Sequence, residues 1–246
     1  MLALKSTRLN LANAWSLDWA KVRETDTQFL LIPGADLRDP ITGRQLKTPG
    51  GLSVGPNGQV LTFNGSQQGN LPLSLPRGGT GLVVAGRIMA TATQSSTPGS
   101  AFGFHSLTSQ RGVGIGFDPS NNVGATQLTT GGAYLPSNSP GVQNRWYTVY
   151  AEARTDTSGH TRAYIDGVIA ATGDQLTIGV SDFDPDEIAV GAQHRSAGFL
   201  RQFRGQIEWG ALFYVKDALL GVNGLGLTPE IAANMYASGY PYNLFR

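Results

Sequence analysis

The chain contains no cysteine in its 246 residues. That excludes disulfides, a thiolate zinc site and a thiol nucleophile. Charged residues are scarce, at 14% against about 25% in an average globular protein, and small polar residues take their place. With a net charge of only +1, no nucleic-acid partner bound through its phosphates is expected. No run of about 18 apolar residues occurs, so no membrane insertion is expected. The opening stretch MLALKSTRLNLANAW has no continuous apolar segment, and no signal peptide is expected from it. The three histidines, His105, His160 and His194, lie far apart without H-x-x-x-H or H-E-x-x-H spacing, which argues against zinc.

What the chain does have is β-strand patterning. Apolar residues make up 40%, enough to bury a sizeable core, and β-sandwiches of 200–250 residues are often single domains. From Arg145 to Gly191 the pattern is densest. Trp146, Thr148, Tyr150 and Glu152 alternate with Tyr147, Val149, Ala151 and Ala153, the period of a half-buried strand. Thr161 to Asp166 returns after a polar turn, and Asp166-Gly167 suits the φ > 0 positions of a type I′ hairpin. Val168 to Ala171 forms the next arm. Further strands are predicted at 29–32, 60–63, 81–92, 101–105, 112–117 and 206–215. The last of these puts Ile207, Trp209, Ala211, Phe213 and Val215 on one face. Thr228 and Pro229 open a predicted helix that ends at Gly239.

The order of these pieces resembles the laminin-G-like, concanavalin-A-like jelly roll. The residues carrying the resemblance are Arg145-Trp146-Tyr147, Tyr164-Ile165-Asp166-Gly167, Ile188-Ala189-Val190-Gly191 and Phe203-Arg204-Gly205-Gln206-Ile207. In the N-terminal half, Leu61-Thr62-Phe63-Asn64-Gly65-Ser66 is similar to the family's hydrophobic-x-F-x-G-S segment. The resemblance implies an all-β antiparallel β-sandwich with a short C-terminal helix. Residues 34–239 would form that domain, after an arm or first strands over 1–33 and before an aromatic tail over 240–246. The tail, YPYNLFR, is similar to segments that follow this helix in lectin-like phage proteins. The expectation is therefore a non-enzymatic lectin-like bacteriophage virion protein, of the tail, baseplate or surface decoration. It would be assembled in the host cytoplasm, with other virion subunits and a host-surface glycan as partners, and as a homo-oligomer, a trimer by preference. A diverged glycoside hydrolase of the same fold and a purely structural capsid or baseplate protein stay open as alternatives.

Candidate chemistry is sparse. Gly51-Leu52-Ser53-Val54-Gly55 fits G-x-S-x-G, but a nucleophile elbow needs a helix next, and Pro56-Asn57-Gly58 prevents one. Paired carboxylates at strand spacing, as a retaining glycosidase requires, are missing. Gly112, Gly114 and Gly116 lack the helix of a dinucleotide fingerprint and point to close strand packing. Asp182, Asp184 and Asp186 form a D-x-D-x-D run able to supply several calcium oxygens, and the resemblance allows calcium at a sandwich edge. An EF-hand is ruled out by Glu187 at its sixth position and Gln193 at its twelfth, and a solvated acidic turn competes with the metal reading. Sugar sites combine aromatic faces with amide and charged hydrogen-bonding groups on loops. Tyr134, Asn138, His194 and Arg195 are the candidate residues of that kind.

Overall fold

The computed structural model describes residues 27–34, 37–40, 42–48, 51–54, 58–73, 81–95, 97–106, 112–128, 134–136, 140–154, 161–173, 186–195, 198–215 and 229–239. They form a two-layer sandwich. The larger sheet holds β1 (Thr27–Leu31), β2 (Ser53–Val54), β3 (Leu61–Asn64), β5 (Gly81–Ala90), β10 (Tyr147–Arg154), β11 (Thr161–Ile165), β12 (Val168–Gly173) and β16 (Arg204–Val215). Its order is β12-β11-β10-β5-β16-β3-β2, with β1 also on β16. The smaller sheet comprises β4 (Gly69–Pro72), β6 (Gly99–Ser106), β7 (Gly112–Phe117), β8 (Val123–Leu128), β9 (Tyr134–Pro136) and β13 (Asp186–Val190), in the order β4-β13-β6-β7-β8-β9. A separate hairpin joins β14 (Gln193–Arg195) to β15 (Gly198–Leu200). The one described helix, α1 (Pro229–Ser238), packs along β12 and buries Ala232 and Met235. No helix among the described residues is long and apolar enough to cross a membrane.

Aromatic side chains join the two layers. Phe29 stacks on Phe102 with ring centroids 6.0 Å apart, and Phe117 meets Tyr147 edge-on at 6.1 Å and Phe203 face-on at 6.1 Å. Glycine allows this closeness. A Cβ on Gly86 would lie 2.8 Å from the Ile115 side chain, and one on Gly210 would lie 2.8 Å from the Phe102 ring.

Over residues 147–152 this strand is buried on both faces rather than one. Tyr147, Val149 and Ala151 enter the core between the sheets, as the alternation predicts. Thr148, Tyr150 and Glu152, on the opposite face, are buried as well. The Asp166-Gly167 turn has φ of 50° and 80°, both positive as a primed turn requires.

One predicted face is corrected. β16 pairs Ile207 with Ile88, but then Trp209 with Arg87, so Glu208 is an extra residue in a bulge. Residues directly opposite share a face. Ile207 therefore faces the core, whereas Trp209 and Ala211 lie on the outer face with Arg87 and Ala85. Beyond the bulge, Gly210 and Leu212 turn inward. The bulge also falls where the far edge of β16 changes partner, from β3 at residues 204–207 to β1 at 210–213. Trp209 is buried, but on the side of the sheet away from Ile207; the side chain of Phe213 lies outside the described residues.

Candidate ligand-binding site

The alternation of β13 sends Ile188 and Val190 into the core and leaves Glu187 and Ala189 on the outer face of the smaller sheet. The strand then stops at Gly191, whose φ is +74° and whose missing Cβ leaves room for the Phe63 ring. Two backbone hydrogen bonds hold that bend, Gly191 N to Ala101 O at 2.7 Å and Phe203 N to Gly191 O at 2.8 Å. The bend starts the β14–β15 hairpin and brings His194 back to Glu187, seven residues earlier.

Here the Nδ1 of His194 meets the Oε1 of Glu187, and the Asn70 side-chain amide donates to Glu187 Oε2 at 3.0 Å. The contact assigns the proton to Nδ1 when the carboxylate is ionised, since an ionised carboxylate only accepts. The Glu187 side chain is 2% exposed, while that of His194 is 24% exposed. The imidazole stacks on Phe199, its cross-strand partner, with centroids 4.2 Å apart and planes 16° from parallel. His105 lies directly opposite Glu187 across β6 and is fully buried. The glycines explain its place: side chains on Gly103 or Gly112 would run into the His105 ring. The close packing expected at Gly112 is thus packing of a histidine against glycine backbone.

The outer face of the larger sheet carries a second polar group of residues. Glu152 stands opposite Arg162, and Tyr164 opposite Tyr150. Burial raises the Tyr164 phenol above its ordinary value near 10; a hydrogen bond from Arg162 opposes that rise and the Glu152 charge adds to it. Glu152, Tyr150 and Tyr164 are buried, so they offer no surface to a ligand.

Of the residues predicted to bind, His194 alone has a described side chain and partners. Tyr134, Arg195 and Asp186 have described backbones, all in strands: Tyr134 opposite Thr126, Arg195 opposite Gly198 and Asp186 opposite Ser106. The loop placement expected for Tyr134, His194 and Arg195 is therefore corrected to short strands. β9 stands four strand spacings of about 4.8 Å from β13, so Tyr134 is not part of the His194 cluster. Asn138, Asp182 and Asp184 lie outside the described residues. Among the described residues no group of three His, Cys, Asp or Glu side chains is gathered as a metal would need, and no step is derived through calcium. Ser53 of the G-x-S-x-G pattern sits in the two-residue β2, paired with β3, rather than on an elbow. Sequence reasoning missed Glu187, Asn70 and Phe199 as companions of His194. The Ile188/Val190 alternation signals that Glu187 faces outward, but no local signal pairs it with Asn70, 117 residues away.

No protein-family model and no curated protein sequence matches the chain. Solved structures do. Domain 4 of AbnA, a GH43 extracellular arabinanase from Geobacillus stearothermophilus solved in complex with arabinotriose, is similar at TM-score 0.61 and 15% identity, over 86% of this chain and 98% of that one. The fold is a concanavalin-like jelly roll. A heptameric SAP-like pentraxin from Limulus polyphemus shares it at TM-score 0.50 and 15% identity, over 72% of this chain and 81% of its own. A Trypanosoma rangeli sialidase matches at TM-score 0.62 and 15% identity over 89% of this chain, but the match spans only 33% of the sialidase chain. At these identities the likeness concerns the jelly roll alone.

Proposed function

We propose that this jelly roll is a lectin-like, non-catalytic module that binds carbohydrate at the outer face of its smaller sheet. The observation that carries the reading is the His194–Glu187–Asn70 cluster. It combines a partly exposed imidazole, an aromatic neighbour and a buried carboxylate held by an amide, the groups with which proteins hydrogen-bond sugars and stack on them. The arabinotriose complex of the similar arabinanase domain supports the ligand class. The finer reading is a bacteriophage virion protein of the tail, baseplate or surface decoration, assembled in the host cytoplasm. It contacts other virion subunits and a host-surface glycan. Support for that part is in the sequence: the absence of cysteine, the low charge and the tail YPYNLFR.

Two measurements test the proposal. Purified protein on an array of bacterial envelope polysaccharides and oligosaccharides is expected to bind a subset of them and to release no reducing ends from those it binds. Retention of no glycan would sink the carbohydrate reading, and catalytic release would return the glycoside hydrolase. Immunogold electron microscopy of a lysate is expected to label particles; label on free protein alone would remove the virion role.

A further inference from the structure

We infer that Glu187 and Asn70 are positioning residues that fix His194 so that its Nε2 accepts a hydrogen bond from a hydroxyl of a neutral sugar; this rests on the carbohydrate-binding reading above. Each Glu187 oxygen has its own partner, Oε1 the imidazole Nδ1 and Oε2 the Asn70 amide. With Nδ1 bound, Nε2 is the ring nitrogen left for a ligand, and a neutral imidazole protonated at Nδ1 is an acceptor at Nε2. A carboxylate behind a histidine sets both its tautomer and its ring orientation. The Phe199 stack restrains the same ring from the other hairpin strand, so the acceptor is held in place before a ligand arrives.

The charge of the cluster selects the ligand class. Glu187 with a neutral His194 carries one negative charge, and Glu187 with a protonated His194 carries none. In neither state does the Glu187–His194 pair carry a net positive charge, so the pair itself does not attract a carboxylate-bearing sugar. Hydroxyl donors of a neutral sugar complement it in the neutral-imidazole state. Lys47, exposed and bridged to Asn70 through its backbone, and Arg195, next to His194 in sequence, are cations that would reverse this preference, and both enter the test for that reason.

The experiment uses the full chain and an array of neutral and sialylated oligosaccharides, followed by titration of the tightest binder. Wild-type protein is expected to prefer neutral sugars. His194→Ala is expected to weaken binding about tenfold or more, while Glu187→Gln and Asn70→Ala each weaken it about three- to tenfold, the range of one hydrogen bond. His194→Gln, which keeps an acceptor near the Nε2 position, is expected to retain binding better than His194→Ala. Imidazole ¹⁵N shifts give a readout that a merely structural role would not move: a dominant Nδ1–H tautomer in the wild type and a mixture in Glu187→Gln. If Glu187→Gln does not fold, the wild-type tautomer and the two His194 variants still decide the matter. Binding to no glycan overturns the carbohydrate reading itself. Neutral-sugar binding that survives His194→Ala, an Nε2–H tautomer in the wild type, or a preference for sialylated sugars, whichever of Lys47→Ala and Arg195→Ala removes it, overturns this inference and leaves that reading standing.

Discussion

Asp166 and Thr148 are joined by two hydrogen bonds: the Thr148 amide donates to Asp166 Oδ1 at 2.9 Å, and the Asp166 amide donates to the Thr148 carbonyl at 2.8 Å. Arg145 adds an ion pair to Asp166 Oδ2 at 3.4 Å and lies over the Tyr147 ring at 4.8 Å. Two of the segments that carry the family resemblance, Arg145-Trp146-Tyr147 and Tyr164-Ile165-Asp166-Gly167, are thereby bound to each other.

Asp166→Ala removes the side-chain bond to Thr148 and leaves a non-glycine residue at φ 50° without the local hydrogen bonding that favours aspartate there. The expected cost is about 1.5–3 kcal/mol, that of a hydrogen bond to a charged group. Arg145→Ala should cost under about 1 kcal/mol, because its side chain is 60% exposed and exposed ion pairs contribute little. Urea melts of the two variants check the order; an equal or larger loss for Arg145→Ala would contradict this account of the turn.

The bulge at Glu208 makes an unusual deletion tolerable. Removing Glu208 joins Ile207 to Trp209 with their present faces retained, since the extra residue is what the bulge absorbs. A folded protein with a modestly lower melting temperature is expected, the Arg87 ion pair at 3.1 Å being lost. Deleting Ala211 instead moves Leu212 out of register with Val84 and disrupts the pairing with β1. That protein should not fold. Trp209→Ala should cost about 3–5 kcal/mol as a large-to-small change at a buried site. Circular dichroism and melting curves read all three.

Tyr164 predicts a pH dependence. Burial is the main reason its phenol is raised, so the folded chain holds that proton more tightly than the unfolded one. Its contribution is complete below about pH 10 and is lost as the pH rises through the folded value. Tyr164→Phe should therefore shift the alkaline unfolding midpoint upward, while costing about 1 kcal/mol at neutral pH through the lost Arg162 bond. An unchanged alkaline midpoint would remove Tyr164 from the cause of alkaline unfolding.

These residues also show how far the sequence could be read. The longer strands and the primed turn were legible because they depend on local alternation and on Asp-Gly backbone freedom, whereas β2, β4, β8, β9, β14 and β15, too short or too polar to show a period, were not. The glycine ending Ile188-Ala189-Val190-Gly191 was legible as a motif, but its reason, a positive φ beside the Phe63 ring, appears only once β13 is folded against β3. Glu208 gave no sign of a bulge, since Ile207, Trp209 and Ala211 keep perfect alternation in sequence. The His194 cluster was visible through one of its members. The rest depends on the Gly191 bend and on β4 lying beside β13, which are long-range facts.

Assembly into an oligomer belongs to the proposed virion role. Low charge leaves little like-charge repulsion between copies, and Tyr240, Tyr242 and Phe245 concentrate aromatic side chains beyond the helix, as interface segments do. Tyr236, on the last turn of α1, is 43% exposed, and Val168 beyond the Asp166-Gly167 turn is 67% exposed. The two regions are close, because a Cβ on Gly167 would lie 3.0 Å from that of Tyr236. Light scattering on full-length protein is expected to give an oligomer, a trimer by preference, and a chain ending at Gly239 is expected to dissociate. Val168→Asp should weaken the full-length assembly in the same direction, since a charge in an apolar contact is costly. A monodisperse monomer at full length, with the truncated chain merely less stable, would mean that the tail completes its own sandwich, and the oligomer would be lost from the proposal.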